Sequence, residues 1–265
     1  MRFKNKVVII TGSSLGIGKA LANQLGKQGA TIVLNGRNIE RLEKINQEMQ
    51  QLGFQTIAIG GDVSNIDDCK SLINKTIETF GKLDILINNA GLSTEGTIEK
   101  LSPKVVKKIM EVNYLGAHYL THLAIPHLKK TKGSILFSGS NAGIHGLPKH
   151  SVYSASKMAL TALTESLRIE LQNHNVHVGI AYIGFTENDP DKTIYSIDGK
   201  IIAQPNRSFK TQSSEVVAIQ MIKMLENRTY KSVFTPIGKL NAFFARFAPV
   251  VIRKVVGNNF RKNHT

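Results

Sequence analysis

Short apolar runs alternate with longer stretches of helical spacing along most of the chain. The apolar runs, rich in β-branched residues, lie at residues 7–10, 31–34, 56–59, 84–87, 133–137 and 176–182. Stretches with apolar residues at helical spacing follow at residues 16–28, 39–52, 66–80, about 102–127 and 153–172. Runs that are apolar on both faces, each followed by a helix, are typical of a parallel sheet covered on both sides. Because such crossovers are right-handed, the pattern predicts an α/β fold with a doubly wound, mostly parallel sheet.

The alternating pattern runs on without a repeat or a low-complexity segment, which indicates a single domain over residues 1–235. Residues 184–210 within it are polar and rich in turn formers, and they are too long for an ordinary connection. Long loops at the carboxyl ends of strands commonly carry function, so this segment is predicted to be a substrate loop or lid. A partly ordered surface insertion is the alternative.

The chain is strongly basic, with 34 basic and 19 acidic residues and a net charge of +15. This charge favours polyanionic partners or an anionic membrane surface. No helix-turn-helix pattern, zinc knuckle or aromatic-basic ribbon accompanies it, so no nucleic-acid partner is predicted. The single cysteine, Cys69, excludes an internal disulfide and indicates a reducing compartment. With no export signal and no run of the ~20 apolar residues that a membrane span needs, we expect a cytoplasmic protein.

A glycine-rich turn joins the first strand to the first helix. Glycines allow a tight turn and let the backbone approach a diphosphate, while the helix N-terminus offers free N–H groups and a positive dipole end. The spacing is G-x-x-x-G-x-G rather than the common G-x-G-x-x-G, and glycine also serves ordinary turns. Its place between strand and helix favours a Rossmann-type dinucleotide site formed by Gly12, Ser13, Ser14, Leu15, Gly16, Ile17 and Gly18.

The end of the second strand indicates which dinucleotide binds. A carboxylate at this place bonds the ribose 2′-hydroxyl and favours NAD(H). Here Arg37 and Asn38 follow the strand, Arg41 lies in the next helix, and the strand end carries no carboxylate. A guanidinium can form paired hydrogen bonds with a 2′-phosphate, so NADP(H) is predicted over NAD(H).

A tyrosine and a lysine, Tyr153 and Lys157, lie four residues apart at the start of the fifth helix. That spacing places them on one helix face. A free phenol has a pKa near 10, and a nearby positive charge lowers it toward the range useful for acid–base catalysis. The spacing is common by chance, but Ser140 ends the preceding strand and Asn113 lies in the preceding helix. Together they predict a catalytic cleft.

With these residues the chain resembles the short-chain dehydrogenase/reductase family of the classical type, from about residue 6 to residue 182. The resemblance rests on six elements in order and spacing. These are the glycine turn, Asp62-Val63, Asn88–Gly91, Asn113, Ser140 and the Tyr153-x-x-x-Lys157 signature.

The resemblance implies a role for each residue of the cleft. Tyr153 would be the general acid in reduction and the base in oxidation, and Lys157 would lower its pKa and bond the nicotinamide ribose. Ser140 would orient and polarise the substrate oxygen, and Asn113 would hold a water that connects Lys157 to solvent. Asp62 would contact the adenine with Val63 beside it. The remaining residues implied to line the cofactor cleft are Asn89, Ala90 and Gly91.

The chain departs from the family after the sixth strand. Ile183-Gly184 replaces the usual Pro-Gly, and Asn188 stands where a threonine normally contacts the nicotinamide carboxamide. The backbone contact of Ile183 does not depend on its side chain and is expected to persist. Thr186, two residues before Asn188, is the other candidate for the amide contact, which leaves the contacting side chain open.

The last 30 residues, 236–265, form a basic amphipathic extension. Apolar residues recur at near-helical spacing among the basic ones: Leu240, Phe243, Phe244, Phe247, Val250, Val251 and Val255 among Lys239, Arg246, Arg253, Lys254, Arg261 and Lys262. Such a stripe can dock on an anionic membrane, or it can cover the substrate cleft or a subunit interface. The family resemblance implies a homodimer or homotetramer. His118 and His122 have metal-binding spacing but no evident further ligand, so no metal is predicted.

These features together predict an NADP(H)-dependent oxidoreductase that reduces a carbonyl to an alcohol. A hydrophobic, lipid-like ketone is the favoured substrate. A sugar or polyol dehydrogenase on the same scaffold is an alternative, because the loops that line the cleft vary freely on one fold. A cofactor-binding regulator without turnover is another, and the complete set of four catalytic residues argues against it.

Overall fold

The computed structural model describes residues 2–205 and 211–262 of the chain. Residues 206–210 of the predicted lid and residues 263–265 of the predicted extension lie outside the described part.

A seven-stranded sheet forms the centre of the molecule, in the order β3-β2-β1-β4-β5-β6-β9. Every neighbouring pair in it is parallel. A separate antiparallel pair, β7 and β8, forms a hairpin. The strands are β1 Val7–Thr11, β2 Thr31–Gly36, β3 Thr56–Gly60, β4 Ile85–Asn88, β5 Ser134–Ser140, β6 His177–Ile183, β7 Thr193–Tyr195, β8 Ile201–Ala203 and β9 Lys231–Val233. The predicted doubly wound parallel sheet is confirmed.

Helices cover both faces of the sheet. They are α1 Gly16–Lys27, α2 Ile39–Gln51, α3 Ile66–Phe80, α4 Pro103–Met110, α5 Gly116–Thr131, α6 Ser151–Glu170, α7 Ser214–Glu226, α8 Pro236–Phe247 and α9 Pro249–Lys262. A π-helical segment, Glu111–Leu115, joins α4 to α5 without a break, and short 3₁₀ turns lie at Asn141–Gly143 and Gln172–His174. The predicted helix at residues 102–127 is therefore one continuous helical stretch of changing pitch.

Alternate residues of each strand point to opposite faces, and both faces are buried. In β1, Val8 and Ile10 pack in the core layer that contains residues of α1, α2 and α7. Val7 and Ile9 pack in the layer that contains residues of α3, α5 and α6. The continuous apolar runs of the sequence follow from this double coverage.

Two parts of the fold have no signal in the sequence pattern. Strand β9 pairs with β6 through the register Ile180↔Lys231 and adds a seventh strand where the sequence indicates six. It has three residues and Lys231 is exposed, so it forms no apolar run. The β7–β8 hairpin is equally short, and it lies within the segment predicted as a lid.

The strand order reverses beside β1, which lies between β2 and β4. In open parallel sheets, ligands bind in the crevice at such a switch point, beyond the carboxyl ends of the strands. Gly12, Asn89 and Gly184 follow the carboxyl ends of β1, β4 and β6, and Ser140 ends β5. The fold thereby brings the predicted site residues to one edge of the sheet.

Within residues 2–205 and 211–262, no helix has both the length and the apolar character to cross a bilayer.

Candidate active site

Tyr153 and Lys157 lie on the first turns of α6. Tyr153 is half-buried, whereas Lys157 is only 5% exposed. The Nζ atom of Lys157 donates a hydrogen bond of 2.8 Å to the carbonyl oxygen of Ser138 in β5 and lies 5.8 Å from the centre of the Tyr153 ring. The sheet thus holds the ammonium beside the phenol.

The environment of Lys157 disfavours its charge. Burial, together with the smaller effect of the positive charge of Lys192, lowers the pKa of this amine to about 8. With that pKa the amine still carries its proton at neutral pH. Lys157 can therefore act as a cation there, although its environment makes it easier to deprotonate than an exposed lysine.

Ser140 ends β5 and caps the short 3₁₀ turn that follows, where its Oγ accepts a 3.2 Å hydrogen bond from the backbone of Ala142. The turn packs tightly against α6. A Cβ added at Gly143 would lie 2.9 Å from the carbonyl oxygen of Lys157, so the close approach requires glycine. The strand end that carries Ser140 is in this way held against the helix that carries Tyr153.

Asn113 lies in the π-helical segment and is 1% exposed. Its Oδ1 accepts a 2.7 Å hydrogen bond from the backbone N–H of Leu92, and its Nδ2 donates 3.0 Å bonds to the carbonyl of Leu92 and to Ser156 Oγ. Ser156 Oγ in turn donates to the carbonyl of Tyr153. Asn113 therefore ties the loop after β4 to the start of α6. Its expected role in holding a water stays a prediction.

The glycine turn is compact. Gly12 has a φ of 61°, and a Cβ there would lie 3.0 Å from the Cα of Ala90. At Gly18 a Cβ would overlap the carbonyl oxygen of Gly12. Ser13 is buried and exchanges hydrogen bonds with the backbone of Asn35, which links the ends of β1 and β2. These close contacts hold the turn against β2 and against the loop after β4.

The N-terminus of α1 has no side-chain cap of its own, since Leu15 stands at the N-cap. Its first N–H, that of Gly16, donates a 2.9 Å hydrogen bond to the Asp189 carboxylate. A carboxylate at this place is an anion on the positive end of the helix dipole. The turn and the helix end together fit the diphosphate of a dinucleotide.

Asn89 supports the turn from the end of β4. Its Nδ2 donates to the carbonyls of Thr11 and Gly12, at 2.9 Å and 3.2 Å. Thr11 Oγ1 accepts hydrogen bonds of 2.9 Å from the backbone N–H groups of Asn89 and Ala90. Gly91 follows, and a Cβ there would lie 3.5 Å from both Asn113 Oδ1 and Lys157 Nζ. The predicted residues 89–91 therefore join the turn to the catalytic residues.

The predicted 2′-phosphate site lies at the end of β2. Arg37 and Asn38 are exposed there. Asn38 caps α2, because its Oδ1 accepts a 2.8 Å hydrogen bond from the backbone of Arg41. The Arg41 guanidinium forms an ion pair of 3.4 Å with Asp191. Two guanidinium groups thus flank this end of the crevice.

Asp62 follows β3 and holds its own loop. Its Oδ1 accepts from Ser64, and its Oδ2 pairs with Lys108 at 3.2 Å. Burial by itself raises the pKa of the Asp62 carboxyl, but the hydrogen bonds from Ser64 and Lys108 outweigh it and hold the pKa below the usual value. Val63 is buried against Gly116. An adenine contact by Asp62 stays a prediction, and it concerns a carboxylate already held by the protein.

A strap, defined here as residues 184–205, leaves the buried end of β6 at Ile183. Thr186 forms a β-bridge with Gln212, and Asn188 Nδ2 donates a 2.7 Å hydrogen bond to the carbonyl of Pro205. Further along the strap, the backbone N–H of Tyr195 in β7 donates a 3.0 Å hydrogen bond to the carbonyl of Ser93, after β4. The strap therefore connects the β6 side of the site with the β4 side. Which of Thr186 and Asn188 contacts the nicotinamide amide stays open.

Several residues that shape the site had no signal in the sequence. Ser138 acts through its backbone carbonyl, which is the same for every residue type. Asp189 and Lys192 lie far along the chain from their partners, 173 residues in the case of Asp189 and Gly16. The sequence shows that residues 187–191 are acidic, but it does not show which groups these carboxylates bind.

The C-terminal extension begins beside the site. Thr235 caps α8, and a Cβ added at Gly238 would lie 2.7 Å from Asn141 Nδ2, in the turn after Ser140. Beyond Gly238, the helix leaves most of its apolar side chains in solvent. Exposed apolar residues of α8 and α9 are Ile237, Leu240, Phe243, Phe247, Val250, Val251 and Val255.

Solved structures share this architecture. A short-chain dehydrogenase/reductase from Burkholderia phymatum, in complex with NAD, superposes with a TM-score of 0.81 over 92% of this chain and 94% of that one, at 24% identity. An alcohol dehydrogenase from Thermococcus sibiricus, complexed with 5-hydroxy-NADP, gives a TM-score of 0.73 at 26% identity over 86% of this chain and 95% of that one. The overall fold is therefore that of dehydrogenases of this type.

The sequence comparisons agree. A family model described as short chain dehydrogenase matches residues 6–196. The chain is 44% identical over 194 residues to an 11-beta-hydroxysteroid dehydrogenase-like protein 2 of Arabidopsis thaliana. That match covers 71% of this chain and 63% of the Arabidopsis protein, so the chain spans less than two thirds of this relative. Because the family model matches most of the chain, the predicted resemblance is confirmed, and the chain belongs to the short-chain dehydrogenase family of oxidoreductases.

Proposed function

We propose that the chain is an NADP(H)-dependent oxidoreductase that reduces a carbonyl group of a hydrophobic substrate to an alcohol. The observation that carries the proposal is the pair on α6, in which the buried ammonium of Lys157 lies 5.8 Å from the ring of the half-buried Tyr153. At that distance the positive charge favours the phenolate over the phenol. Tyr153 is therefore the group suited to release a proton to a carbonyl oxygen at neutral pH.

The chain's residues would share the work of the reaction. A bound nicotinamide supplies the hydride to the carbonyl carbon or accepts it in the reverse direction. Tyr153 donates the proton to the oxygen, and Ser140, at the end of β5, orients that oxygen. Lys157 holds the charge beside Tyr153, and Asn113 fixes the loop after β4 relative to α6. Positioning of this kind lowers the barrier because the reacting groups need no further ordering.

Two arginines support NADP(H) as the cofactor. Arg37 and Arg41 flank the end of β2, and no carboxylate of β2 is present to bond a ribose 2′-hydroxyl. A guanidinium matches the geometry of a phosphate with paired hydrogen bonds. Among the solved structures above, one holds NAD and the other an NADP derivative. The arginines of this chain therefore decide the proposal in favour of NADP(H).

The exposed apolar residues near the site support a hydrophobic substrate. Phe185, in the strap, is 57% exposed, and α8 starts beside the turn after Ser140. The Arabidopsis relative is named as 11-beta-hydroxysteroid dehydrogenase-like. A cleft whose rim is apolar gains binding energy from burying a lipid-like or steroid-like ketone.

The test is oxidation of NADPH in the presence of a panel of hydrophobic ketones, with Tyr153→Phe as the variant. Removing the proton donor is expected to lower kcat by ~10²–10⁴-fold. Tyr119→Phe, on α5, is the control and should keep full activity. Retention of most activity by Tyr153→Phe would sink the assignment. A strong preference for NAD with sugars or polyols would favour the alternative dehydrogenase, and cofactor binding without turnover would favour the regulator.

We also propose that the C-terminal extension docks on an anionic membrane surface. Phe243 and Phe247 are 57% and 68% exposed and lie in ring contact with each other, with centres 5.0 Å apart. After Glu226 the sequence contains no acidic residue, so every formally charged side chain of the extension itself is positive. Two copies of such a surface repel each other, whereas anionic lipid offers both apolar depth and opposite charge.

Vesicle sedimentation tests the docking. The chain should sediment with vesicles that contain anionic lipid and much less with zwitterionic ones, and Phe247→Ser should weaken this binding. Ile98→Ser removes an apolar residue that is 78% exposed elsewhere and should not. Equal weakening by both substitutions, or a dimer that Phe247→Ser dissociates in the absence of lipid, would overturn the proposal. A homodimer or homotetramer through the other helices stays compatible with it.

A further inference from the structure

Two carboxylates of the strap bind groups that the proposed function assigns to cofactor phosphates. Asp189 Oδ2 accepts the 2.9 Å hydrogen bond from the N–H of Gly16, at the start of α1. Asp191 Oδ2 pairs at 3.4 Å with the guanidinium of Arg41, in the first turn of α2. The strap therefore presents two negative charges, two residues apart, to the two positive features of the cofactor crevice.

The contact at α1 is an anion at an anion-binding position. Leu15 provides no side-chain cap, and the Asp189 carboxylate accepts the first N–H of the helix from outside. The helix dipole favours a negative charge there, whether it is a carboxylate or a phosphate. Both cannot hold the same N–H, and two negative charges side by side repel each other.

The contact at α2 differs, because it concerns only one of the two dinucleotides. Arg41 is one of the two guanidinium groups near the end of β2, where NADP(H) and not NAD(H) carries a phosphate. While Asp191 pairs with it, the charge of Arg41 is neutralised. The Asp191 side chain is 64% exposed, so water and salt compete for the pair and it opens at low cost.

The backbone bonds that tie the strap to the rest of the fold lie on either side of its two carboxylates. The backbone of Glu187 bonds Gln212 at 2.8 Å, and Tyr195 bonds Ser93 at 3.0 Å. Residues 188–192 lie between these two contacts. Asn188 and Lys192 bond Pro205 and Gln204, which belong to the strap itself. A displacement of this short stretch would release both carboxylates without breaking the parallel sheet.

We propose that Asp189 and Asp191 set the affinity and specificity of the chain for its dinucleotide by competing with the cofactor's phosphates. Asp189 competes with the diphosphate, which NAD(H) and NADP(H) share, and so lowers affinity for both. Asp191 competes with the 2′-phosphate, and so lowers affinity for NADP(H) alone. The proposal rests on the proposed dinucleotide site but not on the reaction that follows binding.

The experiment compares the dissociation constants of NADP⁺ and NAD⁺ for the full chain and for Asp189→Asn and Asp191→Asn, measured by calorimetry without substrate. Asp189→Asn should tighten both cofactors by about two- to fivefold, the range expected for a charge at a helix N-terminus. Asp191→Asn should tighten NADP⁺ by about two- to fivefold, as for an exposed ion pair, and leave NAD⁺ unchanged. Glu226→Gln is the control, since it removes one acid from an ion pair with the exposed Arg2 at the end of α7.

The affinity for inorganic pyrophosphate is a second measurement, and it does not depend on which dinucleotide the chain prefers. Pyrophosphate binding should tighten in Asp189→Asn and stay unchanged in Asp191→Asn. Weaker or unchanged binding of both dinucleotides by Asp189→Asn would overturn the competition at α1. An equal effect of Asp191→Asn on NAD⁺ and NADP⁺, or an effect of the control as large as those of the strap variants, would overturn the assignment of specificity. Because the experiment measures binding and not turnover, its outcomes can be interpreted even if the proposed reaction does not occur.

Discussion

The two rims of the cofactor crevice are held in different ways. On the glycine-turn side, Thr11 is 1% exposed and its hydroxyl oxygen accepts hydrogen bonds from two backbone N–H groups after β4. Asn89 returns bonds to the carbonyls of Thr11 and Gly12. On the strap side, the contacts to α1 and α2 come from Asp189 and the exposed Asp191. The glycine-turn rim is held by buried hydrogen bonds between strand ends, and the strap rim is held by charged contacts near the surface.

The contacts of the two rims differ in how easily they break. A buried hydrogen bond has no water to replace a lost partner, so breaking it leaves an unsatisfied group. An exposed ion pair exchanges partners with solvent at little cost. The contacts of the glycine turn are therefore hard to break, whereas those of the strap can open, as the proposed competition with phosphate requires. Three substitutions on the two rims test this contrast, and a fourth, at Lys157, tests the buried charge beside them; they follow in order of decreasing expected effect.

Gly18→Ala is expected to have the largest effect, because the new methyl group would overlap the Gly12 carbonyl and lie 2.7 Å from Asn89 Nδ2. We expect a loss of about 3 kcal/mol in the free energy of unfolding, at the upper end for an overpacked site, together with loss of dinucleotide binding. Chemical denaturation and cofactor titration measure both. Gly257→Ala in α9, with nothing within 4 Å of the added Cβ, should be neutral. Equal stability of the two variants would contradict the description of a pinned rim.

Lys157→Met is expected to change how stability depends on pH. The folded-state pKa of Lys157 is about 8 and the ordinary value is 10.5, so between them the unfolded chain binds the extra proton. Stability conferred by the neutral amine therefore rises with pH through this range. The wild type should gain on the order of 3 kcal/mol relative to Lys157→Met, since the pKa values differ by about 2.5 units and one unit is about 1.4 kcal/mol. Thermal unfolding of both proteins across this pH range measures the difference, and a constant difference would show that the amine is not held in a desolvated site.

Asn89→Ala should destabilise the protein by about 1–2 kcal/mol, because the carbonyls of Thr11 and Gly12 lose their donor inside the crevice wall. The affinity for the dinucleotide should fall as the turn loosens. Urea denaturation and cofactor titration provide the two measurements. A stability like that of the wild type would mean that water replaces the amide, and the two rims would then be alike.

Asn188→Ala is the matched change on the strap and should have the smallest effect. Its Nδ2 donates to the carbonyl of Pro205, at the far end of the same strap, and not to the sheet. We expect a change within about 0.5 kcal/mol in the free energy of unfolding. The same urea titration applies. A loss as large as that of Asn89→Ala would show that the strap is part of the cooperative core.

The parts of the fold that the sequence predicts are those where one local property repeats. Strands such as β1 and β2 are apolar on both faces, and helices such as α2 and α3 carry one apolar stripe, so their positions agree with the structure to within a residue or two. Strand β9 escapes the same reasoning. It has three residues, one of them an exposed lysine, and it forms because β6 offers a free edge.

In the candidate site too, some features follow from local sequence and others only from contacts made in the fold. Tyr153, Lys157 and Ser140 follow from spacing on a helix and from the end of a strand, so the sequence alone predicts that they share a cleft. The hydrogen bond of Lys157 to the Ser138 carbonyl has no counterpart in the sequence, because every residue carries that oxygen. The position of Lys192, whose charge acts on Lys157 from within the strap, has no counterpart in the sequence either.

Periodicity, turn chemistry and helical spacing are local properties of the chain, so the sheet, the glycine turn and the predicted catalytic pair follow from the amino-acid sequence. The charge of the Lys157 amine and the contacts that close the crevice follow from the folded structure. Both depend on groups far apart in the sequence: Lys157 is buried against β5, and Asp189 meets Gly16 from 173 residues away. Burial and electrostatic attraction act through space, so their effects are fixed when the chain folds and not before.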